Sequence, residues 1–297
     1  MKKRWVLKEG GNPDVVKRLV HDLNIDKLLA NLLVQREVTN FDEAKDFFRP
    51  DIKKLHDPFL MKDMGLAVER IERAIQNNEK ILVYGDYDVD GTTAVALVYS
   101  FLKTLYDNLD YYIPDRYAKG YGVSFKGIDF AKENGFSLII CLDCGIKAID
   151  KIKYAKENNI DFIVCDHHLP DKELPSAVAV LDPKRSDCNY PFDELCGCGV
   201  GFKLVQAYSQ KNNIPFESLE EYLDLAAISI ASDIVPIVGE NRILAYFGLK
   251  RLNSNPRQGI KSMLELSNTK RELTVTNLVF IIGPRINAAG RMESGKK

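Results

Sequence analysis

Three aspartates alternate with other residues directly after a short apolar segment. Residues 80–85 read KILVYG, and Asp86, Asp88 and Asp90 follow them. An apolar run that ends in glycine predicts a buried strand, and the residues from 91 onward predict a helix with a buried face. The carboxylates therefore lie on a strand-to-helix turn. Because they repel one another unless a positive group lies between them, the turn predicts a divalent metal site. The alternative is a solvated acidic turn, since Asp-x-Asp is common.

Metal-capable side chains recur after two later apolar segments. They are Asp143, which follows residues 138–142, and Asp166, His167 and His168, which follow residues 162–165. Taken alone, an aspartate at the end of a strand could be a helix cap, and the histidine pair could be ordinary surface residues. Their recurrence at equivalent ends of predicted strands indicates one shared site, because ligands of open parallel sheets bind at the carboxyl ends of the strands.

The elements that position these residues alternate between strand and helix. The predicted strands are apolar on both faces, which is typical of a parallel sheet covered by helices. We therefore predict an α/β fold with a parallel sheet of about five strands flanked by helices, and with helical extensions at both ends. The predicted division is an N-terminal helical extension (1–60), a sheet domain with the metal centre (61–236) and a helical connector (237–297).

Composition limits the class of protein. The 297 residues are 45% hydrophobic, so the chain can bury one large core or two smaller ones. A net charge of -1 gives no global signature of nucleic-acid binding, so a polyanion would need a local basic patch. No apolar run approaches a membrane span, and the basic start has no apolar signal core after it. We predict a cytoplasmic protein.

The six cysteines raise the alternative of a zinc site. Cys141 and Cys144 have finger-like spacing. Cys141 lies in an apolar strand-like run, where a thiol behaves as a small buried hydrophobe, so we favour buried thiols over zinc. A disulfide framework is not expected in a chain of this length.

Several polar segments have two interpretations. A loop with Arg116, Lys119 and Tyr121 could hold a phosphate or stack a base, or it could be an ordinary turn. The segment with Arg285, Asn287 and Arg291 could clamp a phosphate or form a polar helix end. Glycines at 197–201 could present backbone N–H groups to an anion, but tight helix packing is favoured. Asp233, at the end of an apolar helix predicted over 219–232, is an ambiguous ligand.

Taken in chain order, six motifs resemble those of the DHH phosphoesterases, and most of all the RecJ-type exonucleases specific for single-stranded DNA. The motifs are GDYDVDG (85–91), Arg116 with GYG (120–122), DCG (143–145), DHH (166–168), ASD (231–233) and GPRINAAGR (283–291). The resemblance spans essentially the whole chain. It implies a five-stranded parallel sheet, two Mn²⁺ or Mg²⁺ ions and hydrolysis of single-stranded DNA from the 5′ end to mononucleotides, in DNA repair and recombination. A helicase and a single-strand-binding protein are the protein partners that it suggests.

The resemblance also implies a role for each motif residue. The metal ligands would be Asp88, Asp90, Asp143, His167 and Asp233, with Asp143 bridging the two ions. Among the catalytic residues, His168 would face the scissile phosphate and Asp86 would lie close to the metals. From its chemistry, Asp166 is a further catalytic candidate that could orient a neighbouring imidazole. The DNA backbone or its 5′ end would be held by Arg116, Arg285 and Arg291. From their side-chain chemistry, Lys119, Tyr121 and Asn287 are further candidates for phosphate or nucleic-acid binding. Carboxylates with one imidazole favour Mn²⁺ over Mg²⁺ and disfavour Ca²⁺.

Two departures from the family pattern matter. Many relatives that cut short oligonucleotides begin the first motif with a histidine ligand, where this chain has Tyr84. RecJ-type proteins continue beyond the last motif with a DHH-associated domain, so we expect this chain to be a fragment. The alternatives are a DHH-family phosphoesterase for short oligonucleotides or other small phosphate esters, and a non-catalytic nucleic-acid-binding relative. The full set of expected ligands argues against the latter.

Overall fold

Five strands form one sheet in which every neighbouring pair is parallel. The computed structural model describes residues 4–114, 122–269 and 271–292, and for 289–292 it describes the backbone only. The strands are β1 (Lys80–Gly85), β2 (Leu109–Tyr112), β3 (Phe136–Leu142), β4 (Asp161–Cys165) and β5 (Ala179–Leu181). Their order is β2-β1-β3-β4-β5. The predicted α/β fold with a five-stranded parallel sheet is confirmed.

The chain consists of two compact units, residues 1–54 and residues 55–297. The first unit contains α1 (Pro13–Leu23), α2 (Lys27–Val34) and α3 (Phe41–Phe48). The side chains of Asn12, Asp26 and Asn40 accept hydrogen bonds from backbone N–H groups at the starts of these helices, as helix caps do. Leu19 and Ala30 are fully buried in the small core between them.

Within the described residues, the second unit contains the sheet and nine α-helices, α4 to α12. They are α4 (Met64–Gln76), α5 (Val89–Lys103), α6 (Phe125–Glu133), α7 (Ile149–Glu157), α8 (Gly197–Lys211), α9 (Leu223–Asp233), α10 (Gly239–Ser254), α11 (Gln258–Leu266) and α12 (Gly283–Met292). A helical turn (Val275–Asn277) and a π-helical turn (Leu278–Ile282) lead into α12.

Helices cover both faces of the sheet, which explains why the strands are apolar throughout. On one face Leu82, Ile139 and Phe162 pack with residues of α6 and α7. On the other side α4, α5 and α8 contact the strands. Burial on both faces is what a parallel sheet with crossover helices requires.

The C-terminal helices share a core with the start of α5. Val89, Ile228, Leu252 and Ile282 belong to one buried cluster, so α9 to α12 pack on the helix that follows the aspartate turn. The apolar helix predicted over 219–232 is two elements, a 3₁₀ helix (Phe216–Tyr222) followed by α9. Among the described residues, no helix has the length and apolar character needed to cross a membrane.

Candidate metal centre

The candidate centre lies where the strand order reverses. β1 has β2 on one side and β3 on the other, and Gly85 at the end of β1 pairs with Leu142 at the end of β3. The residues that follow these strands therefore emerge side by side at the carboxyl edge, where open α/β sheets bind ligands. Asp143 adopts a left-handed backbone conformation (φ 57°) immediately after β3. Such strained conformations concentrate at functional sites.

Three carboxylates surround one nitrogen of His167. Nε2 of His167 lies 3.2 Å from Asp143 Oδ1, 3.5 Å from Asp90 Oδ2 and 3.7 Å from Asp233 Oδ2. These side chains come from four segments, namely the first turn of α5, the end of β3, the end of β4 and the end of α9. Two groups of three have ligand atoms within 4.8 Å of one another, and His167 belongs to both. The second group contains Asp90 and Asp233, and the first contains Asp143 and His168.

Burial makes this cluster electrostatically unfavourable without a cation. Asp90, Asp143 and His167 are 2%, 1% and 7% exposed. Burial, and then the charge of Asp90, raise the pKa of Asp143 well above its ordinary value. Burial and the charge of Asp90 also raise the pKa of Asp233 to about 7. Neighbouring carboxyls with raised pKa values are suited to a divalent cation, which would replace their protons.

The donor set also fits a metal. Within the described residues, Asp143 Oδ1 is buried and accepts no hydrogen bond. Burial lowers the pKa of His167, which favours the neutral imidazole that a metal requires. Carboxylate oxygens with one imidazole suit Mn²⁺ or Mg²⁺.

Asp88 caps the helix that follows the turn. Its carboxylate accepts a hydrogen bond from the Gly91 N–H (2.9 Å), so the first turn of α5 fixes its position. Burial raises the pKa of Asp88, and a hydrogen bond with Asp143 offsets part of this effect. The structure thus brings Asp88 together with the other four predicted ligands.

Asp90 is held by two helices. The N–H groups of Gly197 and Cys198, at the start of α8, donate to Asp90 Oδ2 and Oδ1 at 2.7 Å each. The hydroxyl of Ser229, on α9, donates to Oδ1 at 2.5 Å. The sequence favoured packing for the glycines at 197–201, but the helix N-terminus does present N–H groups to an anion, and that anion is Asp90. No sequence signal pointed to Ser229.

Position 197 also requires a glycine because the start of α8 lies very close to Asp143. A Cβ at this position would lie 2.6 Å from Asp143 Cβ and 2.7 Å from Asp143 Oδ1. The start of α8 therefore packs directly on a candidate ligand, so packing and N–H donation are both properties of this glycine.

Asp166 and His168 form a hydrogen-bonded pair next to the cluster. His168 Nδ1 lies 2.7 Å from Asp166 Oδ1, and the Ile146 N–H donates to Asp166 Oδ2 at 2.9 Å. The hydrogen bond to Asp166 raises the pKa of His168. Burial alone would raise the pKa of Asp166, but the bonds from His168 and Ile146 lower it overall. Because the carboxylate is ionised, it assigns the proton to Nδ1 and directs Nε2 away from Asp166.

Tyr84 and Asp86 are buried at the end of β1. The Tyr84 hydroxyl donates to Gly122 O at 3.0 Å, and its ring stacks on Tyr112, so this side chain lies in the core. The Asp86 side chain is fully buried, and its Oδ1 accepts a hydrogen bond from the Tyr87 N–H.

Asp182 is a further buried carboxylate at the end of a strand. It follows β5 and is fully buried, and burial raises its pKa to about 7. The signal was present, because Asp182 follows an apolar strand in the same way as Asp143 and Asp166.

The predicted DNA-binding residues are only partly described. Arg116, Lys119 and Tyr121, together with the Arg291 side chain, lie outside the described residues. Arg285 Nη1 donates to Ile281 O at 2.7 Å on its own helical segment, and Asn287 is half-buried on α12. A cavity of about 220 Å³ beside His168 is lined by Ile146, Lys147, Ala148 and Lys151, among others.

The six cysteines are free thiols. Cys141 Sγ lies 3.3 Å from Cys144 Sγ, and both side chains are buried. In the described part of the chain, neither belongs to a group of three metal-capable side chains.

Comparison with known proteins gives a family match and close relatives. The model of the DHH family, N-terminal domain, matches residues 80–230. The single-stranded-DNA-specific exonuclease RecJ of Bacillus subtilis is 42% identical over 98% of this chain and 36% of its own length. The protein of the same name from Escherichia coli is 38% identical over 76% of this chain and 41% of its own length. The chain thus spans about two fifths or less of these relatives.

Solved structures agree with this match. An exonuclease RecJ bound to manganese has a TM-score of 0.73 at 31% identity, over 83% of this chain and 61% of that structure. RecJ from Thermus thermophilus in complex with Mn²⁺ has a TM-score of 0.81 at 26% identity, over 97% of this chain and 41% of that structure.

Proposed function

The chain belongs to the DHH family, and we propose that it is a metal-dependent exonuclease that degrades single-stranded DNA from the 5′ end to mononucleotides. The observation that carries this proposal is the convergence of Asp90, Asp143 and Asp233 on Nε2 of His167. The names of the relatives support single-stranded DNA as the substrate. A role in DNA repair and recombination, a helicase or single-strand-binding protein as partner, and a cytoplasmic location are parts of the same proposal.

The residues that would hold two Mn²⁺ or Mg²⁺ ions are Asp88, Asp90, Asp143, His167 and Asp233. The manganese in the related structures supports this cofactor. When bound, two such ions lower the pKa of a water and stabilise the attacking and leaving oxygens of an in-line displacement at phosphorus. Asp143, on which the charges of Asp90, Asp88 and Asp233 all act, is our candidate for the ligand that the two ions would share.

His168 would act on the substrate directly. Asp166 holds Nδ1 and favours the protonated ring, so Nε2–H can donate to an oxygen of the scissile phosphate. Asp166 would act through this imidazole. Asp86 would act from behind the turn by fixing the backbone of Tyr87.

DNA would approach from the side of His168. Lys147 and Lys151 line the cavity there and offer cationic contacts for phosphates. We propose Arg116, Lys119, Tyr121, Arg285, Asn287 and Arg291 as further contacts with the strand. We also propose that 61–236 carries the catalytic centre, with 1–60 as a helical extension, and that 237–297 connects to a further domain.

Single-stranded DNA labelled at either end, with increasing Mn²⁺, tests the proposed function. We expect mononucleotides to be released from the 5′ end. Asp143→Asn should abolish release because it removes a buried carboxylate at the centre of the donor set. Asp150→Asn is the matched control, because Asp150 is an exposed aspartate at the start of α7.

The outcomes separate the alternatives. Cleavage that survives Asp143→Asn would contradict the metal centre, and release from the 3′ end would contradict the polarity. Equal rates on long strands and on dinucleotides would instead favour the phosphoesterase of short oligonucleotides. Absence of Mn²⁺ binding in the unmodified chain would favour a non-catalytic relative.

A further inference from the structure

The two carboxylate oxygens of Asp90 accept different numbers of hydrogen bonds. Oδ1 accepts from the Cys198 N–H (2.7 Å) and from the Ser229 hydroxyl (2.5 Å), whereas Oδ2 accepts only from the Gly197 N–H (2.7 Å) among the described residues. A carboxylate has about four acceptor positions, two on each oxygen. Both positions of Oδ1 are therefore used, and one position of Oδ2 remains.

The remaining position faces the candidate centre. Oδ2 is the oxygen that lies 3.5 Å from Nε2 of His167, around which Asp143 and Asp233 also converge. Oδ1 lies on the opposite side of the carboxylate, with its two donors on α8 and α9. The protein thus offers one oxygen of Asp90 to the centre and keeps the other occupied.

Ser229 is fixed in this arrangement. Its side chain is fully buried, and its oxygen lies 3.1 Å from Cys196 Sγ, the residue that caps α8. The hydroxyl thus contacts both Asp90 Oδ1 and Cys196 Sγ. The hydroxyl therefore has a defined direction and cannot turn away from Asp90 without losing both contacts.

We propose that Ser229 is a positioning residue that makes Asp90 a ligand through Oδ2 alone. This inference rests on the proposed metal-dependent function. Coordination by one oxygen suits the small, strictly octahedral Mg²⁺ and similar ions, whereas Ca²⁺ accepts carboxylates through both oxygens and in flexible geometry. Ser229 therefore contributes to selection against Ca²⁺ as well as to affinity.

The test compares the affinities for Mn²⁺, Mg²⁺ and Ca²⁺ by calorimetry in the 297-residue chain. Ser229→Ala frees one acceptor position on Asp90 Oδ1. We expect Mn²⁺ and Mg²⁺ to bind about 10- to 100-fold more weakly, as is typical for loss of a residue that orients a metal ligand. Ca²⁺ should lose less, so the ratio of Ca²⁺ to Mg²⁺ affinity should rise.

Two further variants make the result specific. Ser209→Ala removes another buried serine hydroxyl, on α8, and should leave all three affinities unchanged. Ser229→Thr keeps a hydroxyl donor, so it should show the same preference for Mg²⁺ over Ca²⁺ as the unmodified chain.

The following outcomes would each contradict the inference. Unchanged affinities in Ser229→Ala would show that the hydroxyl does not position Asp90. An equal loss for all three ions would mean that Ser229 only supports packing. If the unmodified chain binds none of the ions, this inference and the proposed function fail together, whereas normal binding with no effect of Ser229→Ala refutes the inference alone.

Discussion

Replacement of Gly197 by alanine should damage the fold and the metal centre together. A Cβ at this position would lie 2.6 Å from Asp143 Cβ, 2.7 Å from Asp143 Oδ1 and 2.9 Å from Asp143 Cα. Carbon atoms pack at about 3.5–4.0 Å, so either α8 or Asp143 must move. Such overpacking costs about 1–3 kcal/mol. Asp143 is a candidate metal ligand and the start of α8 holds Asp90, another candidate ligand, so Mn²⁺ affinity should fall whichever of the two moves.

Two other glycines provide a graded control. At Gly201, also on α8, a new Cβ would lie 3.2 Å from Val98 Cγ2, and at Gly259, on α11, it would meet nothing within 4 Å. A helical glycine-to-alanine change in open space stabilises by about 0.5–1 kcal/mol. We therefore expect Gly259→Ala to stabilise, Gly201→Ala to be near neutral and Gly197→Ala to destabilise.

Urea unfolding of the three variants gives the order of stability, and a Mn²⁺ titration gives the effect on the centre. Only Gly197→Ala should change both quantities, because only this Cβ meets Asp143. A Gly197→Ala chain with the stability and Mn²⁺ affinity of the unmodified chain would refute the reasoning. Equal losses in Gly201→Ala would show that helix packing in general is responsible.

Three further changes test other parts of the structure. His168→Ala should lower turnover on single-stranded DNA by about 10²–10⁴, the usual contribution of general acid–base catalysis, with the Mn²⁺ dissociation constant unchanged. Asp182→Asn should raise stability to urea at pH 8 by up to about 4 kcal/mol and leave it unchanged at pH 4, because a buried carboxyl with a pKa raised to about 7 favours the folded state only while it is protonated. Glu240→Ala should destabilise the chain by about 3–5 kcal/mol in urea unfolding, because it leaves the buried Lys203 ammonium, 2.9 Å from Glu240 Oε1, without its counter-charge.

Each of these has a result that would contradict it. A His168→Ala chain that loses Mn²⁺ binding would place this histidine among the ligands. If Asp182→Asn has the same stability as the unmodified chain at pH 8, Asp182 is ionised there without cost. For Glu240, the matched change is Glu173→Ala, which removes an exposed glutamate and should have little effect. Equal stabilities of the Glu240 and Glu173 variants would show that Lys203 does not need its counter-charge.

The class of fold is already specified by local sequence pattern. Apolar runs at 80–85, 138–142 and 162–165, the first two of them followed by helical patterns, predict a sheet that is buried on both faces. The chain order also placed Asp86, Asp90, Asp143 and His167 after predicted strands. Since all strands of a parallel sheet end at the same edge, a shared site there followed without knowledge of the strand order.

Which atoms meet depends on the packing of distant segments. Strand order is not written in local sequence, so the adjacency of β1 and β3, which brings Asp90 beside Asp143, appeared only in the fold. The position of Asp233 also could not be obtained from local sequence. It lies far from these aspartates in the chain, and the packing of α9 on α5 and α8 brings it to His167.

The groups that hold the ligands were also set by packing between distant elements. Ser229 is 139 residues from Asp90, and the Gly197 N–H is 107 residues away. A serine in an apolar helix and a glycine before a helix have no local property that identifies such partners. Their roles arise because α8 and α9 enclose a carboxylate that cannot be hydrated, so the fold itself must supply the donors.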